Sequence, residues 1–350
     1  MGVTVKQARE AARQWMVEEA STMPGFRGAY TAGSTNWLTD DAELPATSDV
    51  DIMAVLAEPS EVGGRHKFLH HGVLLEVSYL RQGQFQSPAK ILSDYHLAPS
   101  FRTTKVMFDP LGFLAPLFAE VSRDFAKRYW VRRRVAHARD KLLGFLHSVD
   151  GEAAFPDQIV ACLFAAGVTT HILLVAGLKN PTVRARYQAV RELVTAYEHS
   201  EFHETLLSLL GATRISREQA ARHLTTLTDV FDAARTAIKS PFPFASDVSD
   251  HGRAMAIDGT LELIEQGYHR EAMFWVGVTH SRCQKILSSD APGRLTESFK
   301  NGYHELAGDL GLPTAAAVSR RSAEIRRILP RVCDLAETIT AANPEIEDGG

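Results

Sequence analysis

The sequence predicts an α+β protein: a small mixed β-sheet backed by helices in the first third of the chain, followed by an all-α helical bundle. Two observations carry this. Short apolar runs punctuated by glycine and proline crowd the first 112 residues; beyond Gly112 the strand pattern stops, and apolar residues recur at helical spacing as far as residue 341. At 350 residues the chain is long enough for two domains with a core each. Their spacing places a sheet domain at 1–115, a helical domain at 116–342 and a disordered tail at 343–350.

Residues 4–22 read as an amphipathic helix, with Ala8, Ala11, Ala12, Trp15 and Met16 on one face and Met23-Pro24-Gly25 as its stop. Strands follow at 26–32, 50–57, 73–80 and 105–108. Ser87-Pro88-Ala89-Lys90 starts a short helix, with Pro88 in its first turn. Helices are then expected at 116–149, 156–178, 183–199, 201–211, 216–239, 250–266, 268–289, 294–309 and 314–341, joined by breaks short enough for one bundle.

Composition narrows the class. A net charge of −4 argues against broad attraction to nucleic acid, which needs a basic footprint. Cys162, Cys283 and Cys333 are too far apart for a disulfide framework or a zinc site, so a reducing, cytoplasmic setting is expected. The stretch Val5-Lys6-Gln7-Ala8-Arg9-Glu10 lacks the apolar core of a signal peptide. The most apolar run, 159–178, carries Thr169, Thr170 and His171 and reads as a buried helix, so no membrane is expected as a partner.

The chemistry concentrates at Gly33-Ser34 and Asp49-Val50-Asp51. Two residues apart on a strand, Asp49 and Asp51 share a face while Val50 and Ile52 point into the core. Two hard oxygen ligands on one face suit Mg²⁺. A third acid is offered by Leu74-Leu75-Glu76-Val77-Ser78-Tyr79, where Glu76 is alone in an apolar run that a hairpin through Gly63-Gly64 can bring alongside. Carboxylates facing one point repel unless cations sit among them, so a one- or two-metal phosphoryl-transfer centre follows.

These residues resemble the polymerase-beta-like nucleotidyltransferases, whose signature is Gly-Ser, a loop, Asp-x-Asp on a strand and a later acid. Within that superfamily they are most similar to the kanamycin and related aminoglycoside nucleotidyltransferases. Lys105-Val106-Met107-Phe108-Asp109-Pro110-Leu111-Gly112 is similar to the strand that closes the family's catalytic sheet. The stretch 35–48 is longer than the usual loop, and Asp40-Asp41-Ala42-Glu43-Leu44-Pro45 reads as a lid element. The resemblance covers about the first third of the chain.

The resemblance implies transfer of a nucleoside monophosphate from an NTP, ATP first, to a hydroxyl of a small molecule such as an aminoglycoside-like antibiotic, with pyrophosphate released. Asp49, Asp51 and Glu76 would be the catalytic metal ligands for two Mg²⁺ ions, or Mn²⁺ in their place. Gly33 and Ser34 would hold the phosphates, joined by Arg102 and Lys105 as positive donors. The family also implies a homodimer, a second domain packing through residues 177–184 and a base from the helical domain. For base and acceptor contacts the candidates are His147, Asp150, His171 and Arg184, with Asp140, Glu152 and Asp157 nearby.

Two other functions fit the same residues. Arg123, Lys127, Arg128, Arg132, Arg133, Arg134 and Arg139, with Tyr129 and Trp130 among them, could contact RNA, making tRNA, RNA or a protein the acceptor. The alternative for that stripe is a solvated, salt-bridged helix. A degenerate nucleotide-binding scaffold is the third possibility, against which stands the retention of three acids.

Overall fold

In the computed structural model, which describes residues 2–58, 65–149 and 152–348, helix α1 (Val5–Glu18) starts at a reciprocal cap. Gln7 N–H donates to Thr4 Oγ1, and Thr4 N–H donates to Gln7 Oε1. The helix lays Ala8, Ala11, Ala12, Trp15 and Met16 on one face of a sheet, against Ala29, Val50, Ile52, Val73, Leu75 and Val77. Burying that stripe is what holds an isolated fourteen-residue helix in place.

The sheet runs β3–β4–β2–β1–β5, from β1 (Phe26–Ala32), β2 (Val50–Leu56), β3 (Arg65–His70), β4 (Val73–Arg81) and β5 (Met107–Phe108). It is mixed: β2 and β4 pair in parallel, and the other neighbours are antiparallel. Its second face packs Tyr30 and Val55 against α2 (Pro88–Ser93), α3 (Leu97–Thr103) and α4 (Leu114–Asp124), through Ile91, Leu92, Phe101, Phe118 and Val121. Together these form the α+β sheet expected from the sequence, followed by a helical region.

Several boundaries differ from expectation. β3 was not expected, because Arg65-His66-Lys67-Phe68-Leu69-His70 lacks an apolar run. The hairpin into β4 turns at His71-Gly72, both at positive φ, as a two-residue type I′ turn requires. The expected turn residues Gly63 and Gly64 lie outside the described residues. The single helix expected over 116–149 is two, α4 and α5 (Arg128–Val149). Ala126 O accepts from Glu347 N–H, and Arg128 N–H donates to Glu347 O, so a distant segment takes the backbone groups that would have continued the helix.

That segment is the tail. Instead of being disordered from residue 343, residues 344–348 pair with the sheet unit, with Ile346 buried among Ala98, Phe125, Val131 and Leu178. Arg102 binds Glu345 at 2.7 Å and Arg128 binds Asp348 at 2.5 Å.

The chain divides into two compact units. One comprises Met1–Arg134, Leu178–Asn180 and Pro344–Gly350; the other comprises Val135–Gly177 and Pro181–Asn343. The division falls inside α5, later than the expected residue 116, because Leu114, Phe118 and Val121 of α4 belong to the sheet's core.

The second unit is helical. Its members are α6 (Phe155–Ala176), α7 (Arg186–Ala196), α8 (Phe202–Leu210), α9 (Arg217–Ala237), α10 (Asp250–Arg253), α11 (Gly259–Glu265), α12 (His269–Asp290), α13 (Gly293–Asp309) and α14 (Ala315–Ala342). α12 packs on α6, α9 and α13, and α14 packs on α6. α6 is long and apolar enough to cross a membrane, yet 89% of its most apolar window is buried inside the protein, as in the core helix of a globular fold.

Candidate active site

Asp49, Asp51 and Glu76 meet at one end of β2 and β4. Parallel pairing sets Asp51 directly beside Glu76, and the strand's alternation sends Val50 and Ile52 into the core beneath α1. One ligand oxygen from each acid lies within 4.8 Å of the others, the one such group of metal-ligating residues among those described. Asp49 and Glu76 are buried and Asp51 half-buried.

Gly33 stands against this cluster, and Ser34 follows it. Gly33 ends β1 at a φ of 71°, a conformation that favours glycine. A methyl at its Cβ position would overlap Asp51 Oδ2, so only a bare backbone can approach the carboxylate so closely. Ser34 is exposed and opens a short 3₁₀ turn, Ser34–Trp37.

Two devices hold the turn. Asn36 Nδ2 donates to Thr31 O and Thr31 Oγ1 donates to Asn36 Oδ1, each at 2.8 Å. Arg9 of α1, itself buried, donates to Thr35 O and Leu38 O and pairs with Asp40. The stretch expected to be a lid is bound instead: Val5 N–H donates to Ala42 O and Lys6 N–H to Asp40 O, which satisfies the open N-terminus of α1.

One residue of the cluster escaped the sequence reading. Lys67 lies directly across from Glu76 in the β3–β4 pairing. Its ammonium donates to Asp49 Oδ2 and, at 3.0 Å, to Glu76 Oε2, with the side chain only 2% exposed. Burial disfavours that charge, but the charges and hydrogen bonds of Asp49 and Glu76 more than reverse the effect, so Lys67 holds its proton above the ordinary lysine range. The available signal was a lysine in register with Glu76, readable only once the turn is placed at His71-Gly72.

The donor set fits a divalent cation. Three hard carboxylates converge, the Gly33 backbone leaves room for close approach, and an ammonium already stands in as a cation between two of the acids.

The remaining candidates are placed as follows. Arg102 is engaged by Glu345 and lies 5.2 Å over the Phe125 ring, while Lys105 is exposed on the segment leading into β5. Asp109 caps α4, accepting from the N–H groups of Phe113, Leu114 and Ala115 at 2.8 Å.

In the helical unit, His147 is exposed, and buried His171 pairs its Nε2 with Thr182 O at 2.9 Å, pinning the loop after α6. Arg184 lies against Gly259, where a Cβ would overlap its guanidinium. Asp140 pairs with Arg139 and Asp157 with Lys285, while Asp150 lies outside the described residues.

The arginine stripe breaks up. Arg123 and Lys127 pair with Asp124, Arg128 with Asp348 and Arg139 with Asp140. Arg134 is buried, donating to Leu92 O and Phe125 O, 4.1 Å over the Phe125 ring.

No family model matches this chain, and a search of curated proteins finds no match.

Proposed function

We propose that the protein is a divalent-metal-dependent nucleotidyltransferase that moves a nucleoside monophosphate from an NTP to a hydroxyl of a small molecule. The observation that carries this reading is the convergence of Asp49, Asp51 and Glu76 where β2 begins beside β4, against the turn at Gly33. Asp49, Asp51 and Glu76 would hold Mg²⁺ or Mn²⁺, which when bound neutralises charge on the phosphates.

The chain's own residues supply the rest. Gly33 lets backbone approach the acids, and Ser34 offers an N–H and a hydroxyl to phosphate oxygens. Arg9 and Asn36 fix the turn that presents them. In the reaction a bond forms from the acceptor oxygen to the α-phosphorus. The bond from that phosphorus to the bridging oxygen breaks, pyrophosphate leaves, and the hydroxyl proton passes to a base.

A small acceptor is tried before RNA because the stripe around α5 is not one continuous basic face: Arg134 is buried and Arg128 is held by Asp348, while Arg123 and Arg139 sit beside acids. The motif's resemblance to aminoglycoside-modifying enzymes names a polyhydroxylated amine as the acceptor class to try first, with ATP as the first donor.

Pyrophosphate release from four NTPs across an acceptor screen, followed by mass spectrometry of any product, identifies both substrates. In Asp49→Asn combined with Asp51→Asn, release falls to background; undiminished release in that variant would remove the basis of the reading.

A further inference from the structure

Lys67 changes what the carboxylate cluster can hold. Its ammonium is anchored to Asp49 Oδ2 and Glu76 Oε2, and its backbone is fixed opposite Glu76 in the hairpin. The side chain is almost wholly out of water, so this contact is part of the packed interior rather than a surface ion pair.

A metal ion seated between Asp49 and Glu76 would have to displace that ammonium or lie in contact with it, and like charges that close oppose one another strongly in a buried setting.

We propose that Lys67 is a built-in cation of this site, filling the position between Asp49 and Glu76, so that the site takes a single divalent ion with its nucleotide rather than a pair. The proposal rests on the nucleotidyltransferase reading and replaces the expected two ions by one ion and a lysine. Lys67 thereby positions Asp49 and Glu76 as a metal would, and leaves the one exchangeable ion to the nucleotide's side of the cluster.

Electron paramagnetic resonance of Mn²⁺ on the full chain, titrated in the presence of the α,β-methylene analogue of each of the four NTPs, tests this. The wild-type protein is expected to bind one Mn²⁺ per chain with the six-line spectrum of an isolated ion. Lys67→Met, purified with Mn²⁺ present to support Asp49 and Glu76, is expected to bind two and to show the dipolar coupling of ions roughly 3.5–4 Å apart. Lys67→Arg is expected to remain at one.

A coupled pair in the wild type, or a single ion in Lys67→Met, overturns the role given to Lys67 and leaves the transferase reading standing. Absence of Mn²⁺ binding by either protein with every analogue overturns both.

Discussion

Gly33 carries a constraint that no other residue meets, since it combines a left-handed φ with a backbone pressed against Asp51. Gly33→Ala is expected to lower kcat/KM for nucleotide transfer by about 10²-fold or more, the cost of displacing a reacting group by about an ångström. Backbone strain adds about 1–3 kcal/mol to the loss of stability, because φ 71° with ψ −161° is a region essentially reserved for glycine; wild-type kinetics in that variant would show the turn to be incidental. His280 makes a different prediction. It is buried in α12 beside the Tyr303 ring, neither ring nitrogen has a hydrogen-bond partner, and burial, with His223 nearby, pushes its pKa down to about 3. The unfolded chain protonates this histidine below about pH 6.5, whereas the folded one resists until about pH 3, so stability falls as pH drops through that window. The slope contributed is on the order of 1.4 kcal/mol per pH unit. His280→Leu is expected to unfold in urea at a midpoint that exceeds the wild type's by a margin growing from pH 7 to pH 4, and a constant margin would contradict this account.

At the scale of elements, α1 does more than cover the sheet, because its Arg9 reaches across to hold the carbonyls that follow Ser34. Arg9→Met is expected to cost roughly 1–3 kcal/mol, the penalty of leaving buried polar partners unmade, and to raise the KM for NTP more than it lowers kcat. A stability loss with unchanged KM would confine Arg9 to the fold. What the sequence disclosed here follows from local physics. β1, β2 and β4 are apolar runs bounded by turn residues, and each was legible as a strand. The three acids were legible because Asp51 and Glu76 interrupt such runs and Asp49 stands at the start of one, and Asp51 meets Glu76 through the parallel pairing of β2 with β4. β3 was hidden because an edge strand tolerates charge, and its Lys67 points at the acids rather than at an apolar core. With the turn expected at Gly63-Gly64, the register that aligns Lys67 with Glu76 could not be read.

At the scale of the whole molecule, the break between α4 and α5 and the docking of the tail are one event, recorded by the exchange of hydrogen bonds between residues 126–128 and Glu347. No local propensity signals it, since Phe125-Ala126-Lys127 carries no helix breaker where α4 stops. Deleting residues 344–350 is expected to destabilise the sheet unit by about 2 kcal/mol, chiefly from losing buried Ile346. The Arg102–Glu345 and Arg128–Asp348 pairs add little because their acids are exposed. An unchanged melting temperature after truncation would show the tail to be dispensable. The same docking imposes an order of events during synthesis. The sheet unit is assembled from stretches that leave the ribosome roughly 200 residues apart, about 10–40 seconds at ordinary elongation rates. Throughout that interval Ala98, Phe125 and Val131 wait without the isoleucine that covers them, and the nascent chain presents a sticky face for chaperones to shield until the helical unit has been made.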